Sequence, residues 1–459
     1  MNTISEPARE TPIVAEADVV VAGGGPGGIT AAVAAARCGA KVILIERYGF
    51  LGGMATAGMI GPILSHRAHN APVAIIGGIP REICDRLASM GGAVPWEAAL
   101  KDWGVRFSPE IFKVMADRIV LEAGVRIMFH SYIADAVVEN GRIKALIIEN
   151  KSGRQAVAGR FFVDATGDAD AAFRAGAKTT HGRPFDGRGE SMGSMFRIGG
   201  VKPCPKEAHD AVRRKIEEAR ASDYLHTYNP SFFQPSATVR SDESTPNLTR
   251  FGGSAVDAET LTQAEIFVRE QSWRTFTFYK ENVPGMEDSF LAALPTNVGV
   301  RETRQIVGPY ALTGDDVLAG RKFDDSIARA SWWIDIHCPM GYSHPGHLCN
   351  SKCAMKQPCA FKDAGLHLKI EKMHPPEGDW YGVPYRSLLS VSFPNLLSSG
   401  RCISATHEGM AGTRVMGTCL AIGQAAGTAA AMAADKGIEA PQLPANDLRR
   451  KLIENGALV

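Results

Sequence analysis

The chain opens on polar residues, and its first continuous apolar run is Asp18-Val19-Val20-Val21-Ala22, short and β-branched. That pattern predicts a strand buried on both faces. The run passes into Gly23-Gly24-Gly25-Pro26-Gly27-Gly28 and then into an alanine-rich stretch reaching about Cys38, which predicts a helix. Gly39 ends it, and a second apolar run, Lys41-Val42-Ile43-Leu44-Ile45, stops at Glu46. Further apolar runs predict strands at 124–129 and at 160–163, with a hairpin between them turning at Glu139-Asn140-Gly141. Another strand ends in a glycine near Gly400, and a loop leads from it to an Ala/Gly helix over 415–434. Those twenty residues carry no charge, the length of a membrane span. Their side chains are mostly small, however, and Gly423 and Gly427 stand one turn apart, so a helix buried inside the protein is expected.

The first ninth of the chain is a strand-helix-strand unit with a chemical signature. Gly23, Gly25 and Gly28 satisfy G-x-G-x-x-G, and Glu46 follows the last of them by 18 positions. In such a unit the first glycine makes the turn out of the strand. The second lets a pyrophosphate approach the backbone, and the third lets the helix lie on the sheet. Pro26 and Gly27 complete the turn, and the helix N-terminus favours the phosphate charge. Glu46 is placed to accept from the hydroxyls of a ribose. Dinucleotide binding follows, with FAD and NAD both open at this point.

Three later pieces bear on that choice. Arg47 leads into a second glycine pair, Gly52-Gly53, followed by Met54. The strand at 160–163 ends in Asp164-Ala165-Thr166-Gly167-Asp168, and Gly400-Arg401 precede the Ala/Gly helix, which begins near Met416-Gly417-Thr418. In this order the pieces resemble the FAD-dependent oxidoreductase family of the glutathione-reductase and D-amino-acid-oxidase superfamily. The likeness is to the bacterial group ending in a GRCISATHE…GQAAGTAAA box, here at 400–431. The resemblance implies an α/β fold. A discontinuous Rossmann-like FAD-binding domain would comprise 15–62, 105–180 and 385–459. An α+β substrate or cap domain, 63–104 and 181–384, would be inserted into it, with a Cys-rich loop at 337–360. Thr166, Gly167 and Asp168 would cover the FAD, and Gly417 and Thr418 would present helix N–H groups to the flavin edge. Met54 stands where some relatives carry a flavin-linking histidine, so the FAD is expected to be non-covalent. The insert shows no second G-x-G-x-x-G, which argues against a nicotinamide domain.

Composition narrows the setting. The 459 residues predict two or three domains. Lys plus Arg is 50 and Asp plus Glu 49, a net charge of +1, which removes the electrostatic case for a nucleic-acid binder. The N-terminus has neither a basic start nor an apolar segment, and the nine cysteines are odd in number, so a reduced cytoplasmic setting is expected, with no membrane partner.

Candidate chemistry lies in the remainder. Cys338, Cys349, Cys353 and Cys359 fall within 22 residues, interleaved with His337, His344 and His347. They could hold zinc or an iron–sulfur cluster, or form a loop of reduced thiols; no C-x-x-C pair favours a metal. For proton transfer the candidates are His407 and His337, with His66 behind them. Arg301 and Arg304 could hold a carboxylate substrate, or instead pair with Glu302 or Asp315. The expected reaction moves a hydride between a small organic substrate and flavin N5, with an unidentified electron acceptor and a homo-oligomer left open. The rivals are an electron-transfer subunit using a cluster at 338–359 and an FAD-binding protein without turnover.

Overall fold

In the computed structural model, which describes residues 3–5, 7–227, 238–341, 349–353 and 358–459, the apolar run at Val19 lies at the heart of a sheet. The strands are β1 (Ile13–Ala22), β2 (Val42–Ile45), β3 (Arg126–Met128), β4 (Tyr132–Glu139), β5 (Arg142–Asn150) and β6 (Gly153–Asp164). Their order is β3-β2-β1-β6-β5-β4, and Leu396–Ser398 also pairs with β6. β3, β2, β1, β6 and Leu396–Ser398 run parallel, whereas β5 is antiparallel to β6 and β4 antiparallel to β5. Ala22 is level with both Ile45 and Asp164, so the strands that carry the motifs end together at one edge of the sheet. This is a mixed α/β fold of the Rossmann type, in which ligands bind beyond the carboxyl ends of parallel strands.

The near-continuous apolar strands are explained by burial on both faces. Val19, Val21 and Leu44 pack with helix α1 (Pro26–Arg37) and the Met416–Lys436 helix on one side. Val20, Ile43, Ile45 and Phe162 pack on the other. The two helices approach closely because their contacting residues are small. A Cβ on Gly423 would collide with the Gly27 carbonyl and one on Gly427 with that of Ala31. Thr30 Oγ1 donates to the Leu420 carbonyl across the contact at 2.8 Å. The uncharged stretch is thus a core helix. Among the described residues no single helix is long and apolar enough to cross a membrane. The pair His407–Thr413 and Met416–Lys436 passes by length and composition only with a 95° bend between them.

Some elements differ from the sequence expectation. β1 begins at Ile13, ahead of the apolar run, because its first residues are held in register beside Ala156 of β6. The strand before Gly400 shrinks to Leu396–Ser398 and gives way to a 3-10 turn, Gly400–Cys402. In the 181–384 region, Arg197–Gly199 forms a small antiparallel sheet with Glu243–Ser244 and Phe290–Ala293. The Ala258–Asn282 helix supplies Phe276 and Tyr279 to the core behind it, and its N-cap Asp257 side chain accepts from Thr260 N–H.

Candidate functional site

At the carboxyl edge of the sheet the glycine turn closes as its spacing demands. Gly23 has φ +95°, and a Cβ there would lie 2.6 Å from the Ala165 carbonyl oxygen, so only glycine makes this exit. A Cβ on Gly28 would collide with the Gly23 carbonyl, and one on Gly27 would lie 2.6 Å from Ser399 Oγ. Gly25 is different: a Cβ there meets nothing nearer than Gly53 Cα at 3.9 Å, so its Cα faces open space. Pro26 opens α1, whose first turn carries no acidic residue. Glu46, at the end of β2, accepts from Gly24 N–H at 2.7 Å and Tyr48 N–H at 2.8 Å. Burial raises its pKa, and those two bonds oppose the rise. The second glycine pair is tied to the first, because Gly52 N–H donates to the Gly24 carbonyl at 2.8 Å. Gly52 and Gly53 have φ +112° and +49°, which favour glycine.

These pieces wall one end of a cavity of about 980 Å³. Gly23, Gly25, Pro26, Gly27, Glu46, Arg47, Gly53 and Met54 line it, as do Thr166, Gly167, Asp168, Gly400 and Arg401. Gly28 and Gly52 stand behind the lining and shape it. Thr166 Oγ1 donates to Asp164 at 2.7 Å, which fixes the turn after β6. Arg401 pairs with Asp168 at 3.1 Å through Nη2, while its Nη1 is buried with no hydrogen-bond partner. The wall holds seven arginines (47, 106, 197, 240, 301, 401, 414) against four carboxylates (46, 168, 243, 335), a field that attracts an anion.

The other end of the cavity is built by residues of the 181–384 region and by the residues just before the Met416–Lys436 helix. Arg301, Trp332, Trp333, Asp335, His337 and Arg414 line it. Arg414 bridges two acids: Nε donates to Glu190 at 3.0 Å, and Nη2 lies 3.3 Å from Asp335 Oδ2. Asp335 Oδ2 also accepts from Trp332 Nε1 at 3.3 Å, and Oδ1 lies 3.6 Å from His337 Nε2. His337 donates its backbone N–H to Glu190 at 3.1 Å. Burial raises the pKa of Glu190, and Arg414 opposes that rise.

Several sequence candidates fall elsewhere. His407 is buried and lies outside the lining, its Nδ1 2.8 Å from Glu302 Oε2, so it braces the wall rather than facing the space. Arg304 pairs with neither Glu302 nor Asp315: its Nη1 meets Asp170 at 3.1 Å, and its guanidinium covers the Phe173 ring. His66 is a core residue, bonded through Nε2 to the Ala99 carbonyl at 2.7 Å and set edge-on to Trp96. Gly417 and Thr418 are also behind the wall. The Gly417 N–H is taken by the Leu64 carbonyl at 3.0 Å and Thr418 Oγ1 by Ser65 at 3.0 Å, so Val415 and Met416 hold the lining positions instead.

The four clustered cysteines lie near one another, with Cys338, Cys353 and Cys359 around Cys349. Cys338, Cys353 and Cys359 pack with Phe361, while Arg183 Nη1 lies 3.7 Å from Cys349 Sγ. Burial pushes the Cys349 thiol up to about 12, and the neighbouring Cys338, Cys353 and Cys359 add to the rise. Among the described residues no three His, Cys, Asp or Glu side chains converge to hold a metal. His344 and His347 lie outside the described residues. All nine cysteines are free thiols.

Sequence reasoning missed Asp335, Glu190, Asn247 and Arg414. Arg414 sits inside the C-terminal box, and Asp335 stands two positions before His337. Those were the available signals.

A glycine turn open at Gly25, a helix N-terminus behind it, a strand-end Glu46 and an unsatisfied arginine at Arg401 fit the pyrophosphate and ribose of a dinucleotide. The fold and site thus define a dinucleotide-binding protein of the flavoenzyme class. The chain belongs to the FAD dependent oxidoreductase family, whose model matches residues 18–452. It is 31% identical over 131 residues to a thiamine thiazole synthase of Aeropyrum pernix, covering 28% of this chain and 43% of that one. To the thiamine thiazole synthase of Methanococcus vannielii it is 25% identical over 168 residues, covering 33% and 56%. The chain thus spans about half the length of these curated relatives. A geranylgeranyl bacteriochlorophyll reductase-like protein from Thermoplasma acidophilum aligns over 96% of this chain and 83% of its own. The TM-score is 0.41 and the identity 13%.

Proposed function

We propose that the protein moves a hydride between a small organic substrate and flavin N5, in the half of the cavity walled by Trp332, Trp333, Asp335 and His337. The observation that carries this reading is the continuity of one cavity from the Gly23–Gly28 turn to His337. Non-covalent FAD would be held by the glycine turn, Glu46, Gly53, Thr166–Asp168 and Gly400–Arg401. When bound, it supplies a two-electron centre that the chain's own residues lack. His337 exchanges the substrate proton. Asp335 Oδ1, 3.6 Å from its Nε2, acts on the ring through its charge, and Arg414 and Trp332 fix Asp335 through its other oxygen. The indoles of Trp332 and Trp333 exclude water. The reoxidant is a separate acceptor. Nine free thiols accord with a reducing, cytoplasmic setting.

The test is anaerobic mixing of the FAD-loaded protein with a panel of small alcohols, amines and acids, following bleaching of the flavin band. His337→Gln should keep its FAD and slow bleaching by roughly 10²-fold or more, within the usual range for a general acid or base. Asp335→Asn should move the pH profile of the same step. No bleaching by any donor, or an unchanged rate and profile in both variants, overturns the reading.

A further inference from the structure

Arg301 is 8% exposed and lines the cavity. Its guanidinium has only neutral acceptors: Nη1 donates to the Ser191 carbonyl at 2.7 Å and Nη2 reaches Asn247 Oδ1 at 3.4 Å. The acids that could neutralise it are committed. Glu190 and Asp335 hold Arg414, and Glu302 holds His407. Among the described residues, none is left to form an ion pair with Arg301. A second guanidinium crowds it. Arg250 Nη1 also donates to Asn247 Oδ1, at 3.0 Å, and a Cβ built on Gly193 would lie 3.1 Å from Arg301 Nη1 and 3.3 Å from Arg250 Nη1. Burial pulls the pKa of Arg301 well below the usual arginine range, Arg250 and Arg414 pull it further, and the charges of Glu190 and Asp335 only partly oppose the fall.

A charged group taken from water needs an opposite charge or several strong acceptors, and Arg301 has one carbonyl and an amide oxygen that it shares with a second guanidinium. A planar fork of donors facing a cavity is the geometry that receives a carboxylate. We propose that Arg301, steadied by Asn247, is an anion subsite and that the substrate is a small organic acid bound through its carboxylate. This rests on the reading of the cavity as a flavin site and adds the substrate class to it. The carboxylate settles beside the guanidinium and completes its charge pairing. The rest of the acid then lies along the wall shared with Asp335, His337 and the two indoles. Neutral analogues of the same shape lack the pairing and leave Arg301 as it is.

The experiment uses FAD-loaded protein, with FAD content measured for every sample. Acetate, benzoate and the matching amides are titrated while the visible flavin spectrum is recorded. The acids should shift the band saturably and bind at least tenfold more tightly than acetamide and benzamide. Arg301→Gln should keep its FAD and lose the benzoate response by tenfold or more. Arg301→Lys should recover part of it, and Arg386→Gln, an exposed partner of Asp325 away from the cavity, should match the wild type. Should Arg301→Gln fail to fold, the acid-against-amide ratio on the wild type decides alone. Equal responses to acid and amide overturn the subsite. So does full benzoate affinity in Arg301→Gln, or loss of FAD in that variant with the benzoate response intact in the remaining holoprotein. A preparation that binds no FAD refutes the flavin site itself, a result distinct from any of these.

Discussion

Replacing Gly25 with valine separates the needs of the ligand from those of the fold. Gly25 caps α1 at φ −71°, ψ −177°, extended backbone that any residue adopts. Its Cβ would meet only Gly53 Cα, at 3.9 Å, an ordinary contact. The apoprotein should therefore fold. Losing a glycine cap costs up to about 1 kcal/mol, and the smaller entropy of the unfolded chain returns roughly 0.4–1 kcal/mol. The cost to FAD is larger. The branched side chain occupies the space through which a pyrophosphate reaches the helix N–H groups. Hydrogen bonds to a charged group are worth about 1.5–3 kcal/mol each, so losing two removes about 3–6 kcal/mol, or roughly 10²- to 10⁴-fold in Kd. Titration of apoprotein with FAD, followed by protein fluorescence, reads the affinity, and a thermal melt reads the fold. Gly28→Ala is the contrasting variant, because its Cβ falls on the Gly23 carbonyl and should lower the melting temperature with or without FAD. A Gly25→Val protein that binds FAD with wild-type affinity would refute the placement of the pyrophosphate.

Glu46→Ala should weaken FAD by about 1.5–3 kcal/mol and also destabilise the apoprotein, because Gly24 and Tyr48 N–H lose their shared acceptor; equal affinity in a titration contradicts the ribose contact. Stability should also fall as pH rises above the ordinary histidine range. Burial lowers the pKa of His407, but the Glu302 carboxylate, joined by Glu190 and Glu408, makes the net shift upward. A raised folded pKa gives a contribution fully present below about 6.5 that is lost as pH climbs through the folded value. Denaturant titrations between about pH 6 and 9 should show this slope in the wild type and not in Glu302→Gln. An identical slope in both assigns the titration to another group.

The fold was legible wherever one local constraint dominated. Strict steric limits at Gly23 and Gly28 produce a readable spacing, and burial on both faces makes β1 and β2 unbroken apolar runs. The Asn140-Gly141 turn announced itself because both residues take positive φ, at 51° and 71°. The start of β1 was not legible, since Ile13 is held by pairing with β6 some 140 residues away rather than by its own propensity.

The site followed the same rule and failed for the same reason. The glycine turns that wall one end of the cavity were legible because backbone geometry, not side-chain charge, selects their residues. On the other side, charge partners decide everything, and partners are set by tertiary packing. Arg301 and Arg304 are three positions apart and read alike in sequence, yet Arg304 meets Asp170 while Arg301 is left among neutral acceptors. His407 and His337 read alike too. Glu302 claims the first behind the wall, whereas the second lines the cavity with its Nε2 3.6 Å from Asp335 Oδ1. The difference rests on Glu190, which has no local signature. It holds Arg414 at 3.0 Å and the His337 backbone at 3.1 Å, while the hydrogen bonds of Arg301 go to the neutral Ser191 carbonyl and Asn247 amide. A buried glutamate far off in sequence thus decides how two arginines of one wall differ, and no reading of Arg301 by itself could have found it.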